Sequence, residues 1–570
     1  MTVEPDRTGE ETLPEPPFVE SPDDPLPPMV VPQTIADRNR AARWMAVLTA
    51  VSRGTGFVRV VVVAAVLGTS YLGNTYQSAN TIPNILFELF AAGVLQSVLV
   101  PIMVDAVDSG DRRGAEQTAG VVLGAILGLL AALVAAGMVA GPWIMRILVS
   151  GVDAASIREA EVQLGTFLLW FFLPQILFYA ANLVATAVLN AKGSFALPVF
   201  APTVNNLVVI TTYLVFAWMR DGEAPSLSLD LSEKLVLGIG TTLGVVLFCA
   251  VPVIGLARSG FRLRAHFNLR DPILRRLARQ GGWAAGFLAL TNVLLMVVLW
   301  FSNGVEGGVV VYTLAFTVLS LPHSLFAVPV YTTSFPALTR HVNASHWRDF
   351  SDEVGRSTRS VMFFGLASTG ALVALAGPLA DVMAFGNASD RTTQVAGAIA
   401  AFGLGLCGFS MLLTLSRVTY AYGDMRAPTL VNVAVVVVGS LAMAVLCWSA
   451  DDANRVTMVG LGFSLSQAVG ALLLWWSVRH RLRGQDEVVR AVAVPIGRMV
   501  VAAGLGTAGA WALVRLLDPA GRGMSVVALV AGGALLSVVM LGVLWVVGGP
   551  KPAVALRSLG GDPGRGTAGR

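Results

Sequence analysis

The feature that most restricts this chain is a run of long apolar stretches separated by short polar breaks. Fourteen can be marked, near residues 44–68, 75–104, 116–149, 161–190, 196–219, 234–257, 281–302, 308–338, 358–386, 393–422, 427–449, 456–478, 490–516 and 524–548. Each has about twenty residues or more, enough to cross ~30 Å of hydrocarbon as a helix. Several contain Pro or Gly, so kinks and tilt are expected. With 55% hydrophobic and 13% charged residues and a mean hydropathy of +0.71, the chain reads as an all-α polytopic membrane protein. The net charge of +4 carries no nucleic-acid signal. Cys249, Cys407 and Cys447 all fall inside apolar stretches, which excludes a disulfide framework, and the histidines form no metal motif. No nucleophile–base set is present, so an enzyme is not expected.

The loops set the topology. Taking the N-terminus as cytoplasmic, the inner loops hold Arg112 and Arg113, Lys192, the arginines of 258–280, Arg340 to Arg359, Arg426, and Arg479 to Arg490. The outer loops are sparse in cations, and 69–74 and 303–307 have none. This alternation predicts an even number of spans with both termini in the cytoplasm. Residues 1–43, rich in Pro and acids, are expected to be a disordered tail. Residues 258–280 form a basic linker, whose Arg275, Arg276 and Arg279 suit an amphipathic lead-in helix facing anionic headgroups. A short cytoplasmic tail, 549–570, ends the chain.

An internal repeat divides the spans. Ala201-Pro202-Thr203-Val204-Asn205-Asn206 opens span five, and Ala427-Pro428-Thr429-Leu430-Val431-Asn432 opens span eleven, each after a turn containing Gly193 or Gly423. Ile82-Pro83 and Pro101 in span two are echoed by Leu321-Pro322 and Pro336 in span eight. Two six-span lobes in the same orientation follow, 44–257 and 281–478, related by a pseudo-twofold axis along the membrane normal. Spans thirteen and fourteen, within 479–548, lie outside the repeat.

Three charges sit where membrane spans avoid them: Arg53 and Arg59 in the first span and Glu88 in the second. A charge at that depth costs about 2.5–3.5 kcal/mol on insertion scales, so such residues normally face a bundle interior or a water-filled cavity. Arg53 and Arg59 are six residues apart, which puts them about 120° from each other around a helix. Two cations overlooking one space suit an anion. Arg53, nine residues from Trp44, also suits snorkelling to the interface, and Glu88 suits a structural pair with one of the arginines.

Ser52-Arg53-x-x-Gly56-Phe57-x-Arg59, Ile82-Pro83-Asn84-Ile85-Leu86, Gly141-Pro142-Trp143, Leu189-Asn190-Ala191-Lys192-Gly193 and Arg417-x-x-Tyr420-Ala421-x-Gly423-Asp424 occur in order. Together they resemble the MviN/MurJ family of lipid II flippases, of the multidrug/oligosaccharidyl-lipid/polysaccharide exporter superfamily, in its actinobacterial form. The resemblance implies alternating access of two lobes, a cationic cavity for the diphosphate and sugar of an undecaprenyl-linked precursor, and a lipid-tail groove at spans thirteen and fourteen. It places substrate contact at Arg53 and Arg59 and, by position, at Asn74, Asn84 and Glu88. Coupling to Na+ or to the membrane potential is part of the same expectation. Asn292 and Asp424 are candidates for a cation site, or for an interhelical hydrogen bond and a helix cap respectively. Where the family often carries charges, this chain has Phe87, Asn74, Leu314 and Ala315, which makes the cavity less cationic. The rival expectations are a flippase for another polyprenyl-diphosphate glycan, a cation-coupled exporter of small cationic molecules, and a non-transporting scaffold of cell-wall synthesis. Two cavity arginines oppose cationic cargo.

Overall fold

The computed structural model describes residues 35–89, 112–267, 272–482 and 485–548. The chain forms two compact units, Met1–Val47 and Leu48–Arg570. Of the first, the described part is the opening of a helix, and everything that follows belongs to the second. The disorder expected for 1–34, the second half of span two with Pro101, and the tail 549–570 lie outside the described residues. Residues 35–43 do not belong to a disordered tail, because helix α1 already begins at Ile35 and runs Ile35–Leu67.

Every regular element described is helical. After α1 come α2 (Tyr71–Phe87), α3 (Arg112–Leu148), α4 (Ala155–Phe172), α5 (Gln175–Ala191), α6 (Ala196–Met219) and α7 (Leu231–Arg258). The second half follows with α8 (Pro272–Asn303), α9 (Gly308–Pro322), α10 (Val328–Asn343), α11 (Trp347–Ala374), α12 (Ala376–Met383), α13 (Thr392–Leu404), α14 (Leu406–Ala421), α15 (Arg426–Trp448) and α16 (Asp452–Arg479). Helices α17 (Gln485–Leu517) and α18 (Arg522–Val546) end the bundle.

Twelve candidate spans are long and apolar enough to cross a membrane among the described residues, or thirteen with α11 and α12, which meet at 71°, taken as one. The count of fourteen is therefore not established. Span two is described only as far as Leu89. Span four is a pair, α4 and α5, broken at Pro174, where the ring cannot donate to the helix ladder. The lead-in helix expected before span seven is not separate, since α8 runs unbroken from Pro272 to Asn303.

The repeat is visible in side-chain bonds. Asn206 on α6 donates its amide to Ser52 O and Thr55 Oγ1 of α1. Its sequence counterpart Asn432 on α15 donates to Phe287 O and Thr291 Oγ1 of α8. In each half, one asparagine fastens the fifth span to the first. The turns leading into α6 and α15 close through Gly193 and Gly423, at φ of +71° and +82°, a region that a Cβ disfavours. The paired prolines act alike too. Past Pro83 the helix opens into a π turn at Glu88 and Leu89, and past Pro322 into one over His323–Ala327.

Helices α17 and α18 pack together and lie against α11 and α12. Phe363 of α11 is buried with Met499 and Ala502 of α17 and Met540 and Leu544 of α18, and Ser525 donates to Asp381 of α12 at 2.9 Å. The linker from Phe261 to Phe267 runs non-helically along α3. His266 N donates to Gly120 O at 2.8 Å, and Arg262 N donates to Glu116 Oε1 at 2.8 Å. It passes so close to Gly120 and Gly124 that a Cβ on either would meet its backbone.

Candidate functional site between the two halves

The halves are joined chiefly at their arginine-poor end, where α1 ends, α2 begins and α8 turns into α9. Asn74 is fully buried there. Its amide donates to Val305 O at 2.8 Å and its carbonyl accepts from Val309 N at 2.9 Å. Ser78 and Asn303 exchange a side-chain bond at 3.0 Å, and Trp300 Nε1 donates to Ser150 Oγ at 2.7 Å. Asn387 donates to Val66 O and accepts from Thr69 N. Gly307, at φ +72°, lies so near the Thr69 backbone that a side chain there has no room. This is a polar, close-packed seal.

Away from the seal, the two halves are linked through the charge of Arg53, which reaches side chains of the second half. Asn206 grips the Ser52 and Thr55 side of α1. Arg59 is seven residues from Ser52, about 20° from it around the helix, while Arg53 is turned about 100° away. The two arginines therefore act on different partners. The charge of Arg59 acts on Tyr76, Tyr179 and Tyr213 of its own half. Tyr213 donates its hydroxyl to Tyr76 at 2.7 Å, and the Tyr76 and Thr241 hydroxyls are also 2.7 Å apart. The charge of Arg53 acts across the gap on His323 and Tyr331 of the second half.

The second half supplies its own cation. Arg417 of α14 lies over the Tyr331 ring at 5.7 Å and the Tyr420 ring at 6.0 Å, so Tyr331 feels guanidinium groups from both halves. His323, on the π turn, is buried with Nδ1 2.9 Å from Ser410 Oγ. Glu88, on the other π turn, pairs with no arginine among the described residues. It accepts from Asn292 of α8 at 3.4 Å. Each half thus breaks its second span where a titratable side chain faces the other half, and π turns are frequent at functional positions.

The remaining sequence candidates separate. Asn84 is exposed and donates to Asn80 O one turn back. Asn74 belongs to the seal, with both ends of its amide bonded. Asn292 is the interhelical hydrogen bonder. Asp424 is the cap, accepting from the Arg426 and Ala427 backbone at 3.1 and 3.0 Å. Asn292 lies nine residues along α8 from Trp283, the residue of that helix beside Asp424, about 13 Å of rise, so the two have separate partners. Leu314 and Ala315 are buried in the core. Sequence reasoning quoted Arg417 within a motif without assigning it a contact. Its charge sits in an apolar span as those of Arg53 and Arg59 do, and that signal was available. It also saw no grouping of histidines, yet His341, His346 and Asp349 lie within 4.8 Å of one another at the exposed α10–α11 turn.

This arrangement has known counterparts. A family model described as lipid II flippase MurJ matches residues 63–531. The chain is 26% identical over 474 residues to the lipid II flippase MurJ of Burkholderia cenocepacia, covering 82% of this chain and 89% of that one. It is 25% identical over 513 residues to a probable lipid II flippase MurJ of Rhizobium meliloti, covering 89% and 94%. Among solved structures, it resembles a lipid II flippase MurJ in an inward closed conformation, with a TM-score of 0.67 at 18% identity over 88% of this chain and 99% of that one. An inward-facing multidrug resistance MATE transporter of the MOP superfamily shares the fold at a TM-score of 0.61 and 14% identity, over 76% and 96%. The chain belongs to the lipid II flippase MurJ family.

Proposed function

We propose that this protein moves lipid II, the polyprenyl-diphosphate-linked precursor of peptidoglycan, from the inner to the outer leaflet of the bacterial cytoplasmic membrane. What supports this reading is the family match over residues 63–531 together with the arginines kept inside candidate membrane spans of both halves, Arg53 and Arg59 in the first and Arg417 in the second. Guanidinium groups converging from both halves of a membrane bundle suit a diphosphate, because charge-assisted, bidentate bonds to phosphate are strong and directional.

In this reading the arginine-rich end and both termini are cytoplasmic. The seal around Asn74 closes the outer side, so the gap is entered from the inner leaflet. Arg53 and Arg417 receive the diphosphate first, and Arg59 lies deeper, among the tyrosines of the first half. Breaking the Asn74, Ser78 and Asn387 bonds and closing the inner side then delivers the head group outward. Helices α17 and α18, packed outside the two halves, suit the prenyl tail. Coupling to Na+ or to the membrane potential belongs to the same proposal.

The test is a leaflet-accessibility assay for lipid II in proteoliposomes. Arg53→Ala and Arg417→Ala should each slow translocation about 10- to 100-fold, the value of one charge-assisted bond of roughly 1.5–3 kcal/mol. Wild-type rates in both variants, with the proteins inserted, overturn the proposed path.

A further inference from the structure

At the arginine-rich end of the second half, the turn between α14 and α15 borders a solvent-open recess of about 490 Å³, lined by Trp283, Tyr422, Asp424, Arg426 and Arg481 among others. The Arg426 guanidinium lies 5.5 Å over the Trp283 ring, and that of Arg481 lies 5.0 Å over the Tyr422 ring. Stacking holds each planar group by its face and leaves its N–H edge free to bond. Asp424 does not neutralise the pair. One of its oxygens takes the α15 backbone N–H groups, and the other meets only Arg481, at 3.5 Å. The Tyr422 hydroxyl oxygen is buried without a partner. Burial pushes Tyr422 up to about 12, against the opposing field of Arg481 and with a small addition from Asp424.

The matching turn of the first half has no such arrangement. Lys192 lies 5.0 Å over the Phe261 ring and its Nζ donates to Ser259 Oγ, so its cation is folded onto the end of α7. Leu430, one turn along α15 from Arg426, is 61% exposed, and Trp476 of α16 is 57% exposed, as side chains that face lipid are, and Trp with Arg marks the level of headgroups.

We propose that this recess is a binding site for the phosphate of a membrane lipid, held by Arg426 and Arg481. The site is separate from the gap between the halves and does not depend on the cargo proposed above. Two lipids share its chemistry, an anionic phospholipid and a polyprenyl diphosphate.

The full-length protein in nanodiscs of phosphatidylcholine, titrated with phosphatidylglycerol and followed by native mass spectrometry, tests this. Wild type should retain phosphatidylglycerol over phosphatidylcholine. R426Q/R481Q should lose at least tenfold of that preference, and R426Q alone about threefold. A charge-matched control, R340Q/R348Q, should lose less than twofold. Equal losses in the two double variants would mean general surface charge and overturn the site, as would a wild-type lipid preference, for either probe, that R426Q/R481Q keeps. Undecaprenyl diphosphate, used as a second probe, identifies the source. If it binds wild type but not R426Q/R481Q while phosphatidylglycerol binds neither, the site reads the diphosphate lipid. Displacement of either lipid by an equal concentration of inorganic phosphate overturns the lipid assignment.

Discussion

The two halves treat the same parts differently. Asn206 and Asn432 make the same pair of bonds, to a backbone carbonyl and a hydroxyl on the first helix of their own half. Gly193 and Gly423 close the same turn. Yet the first half turns Lys192 onto its own Phe261, while the second leaves Arg426 and Arg481 around an open recess. Toward the gap, the first half presents Arg53 and Glu88 and the second presents His323, Tyr331 and Arg417. The repeat keeps the residues that satisfy buried backbone geometry. The chemistry has diverged where side chains meet ligand, lipid or the other half.

That contrast can be broken by mutation. The largest effect is expected at the gap. If the halves contribute unequally, Arg59→Ala, which acts within the first half, should slow translocation about tenfold with its distance-dependent effects confined to that half. A bimane or spin label placed at His323 should report a change for Arg53→Ala and none for Arg59→Ala. Equal responses would mean that both arginines look into the second half.

Next in size is the seal. Asn74→Ala leaves Val309 N without its partner and removes one of the two bonds to Val305 O, which keeps the one from Gly308 N; an unsatisfied buried group costs ~1–3 kcal/mol. We expect a lower thermal midpoint in detergent and faster thiol labelling at the arginine-poor end. An unchanged midpoint and labelling rate would remove Asn74 from the closure.

The equivalence of the halves is tested by Asn206→Ala against Asn432→Ala. Interhelical hydrogen bonds in membranes average ~0.6 kcal/mol and reach about 1.7. Each variant should lose about 1 kcal/mol by steric-trap or denaturant unfolding, and the two values should agree within ~0.5 kcal/mol. A wide gap between them would show that the shared motif does unequal work. The smallest effect belongs to the turns. Lys192→Ala removes a stacked cation and a hydrogen bond worth about 0.5–1 kcal/mol, whereas Arg481→Ala, whose side chain is 57% exposed, should leave stability nearly unchanged and show itself only in lipid binding.

Much of this was legible beforehand. The apolar runs, the alternating cations and the six-residue echo gave an all-helical bundle of two halves, because a membrane admits few alternatives for a backbone that must bond to itself. The roles of Asp424 as a cap and Asn292 as an interhelical bonder were also open to a local reading. What failed was the assembly of the site. Asn74 looked like a cavity residue by its place near a loop, but that loop closes against the turn from α8 to α9. Glu88 looked like a partner for an arginine and instead meets an amide from the other half.

Residue order alone was enough to show an all-helical membrane bundle built on a repeat, with guanidinium groups kept inside its apolar stretches. Hydrophobic length and charge cost act on each segment alone, so they are written locally. Only the tertiary structure decided that Arg53 turns to the second half and Arg59 to the first. It also decided that Arg417 joins Arg53 at Tyr331, and that one copy of a repeated turn is closed while the other is open. Those outcomes depend on the rotation and spacing of helices packed against one another, and no single span encodes either.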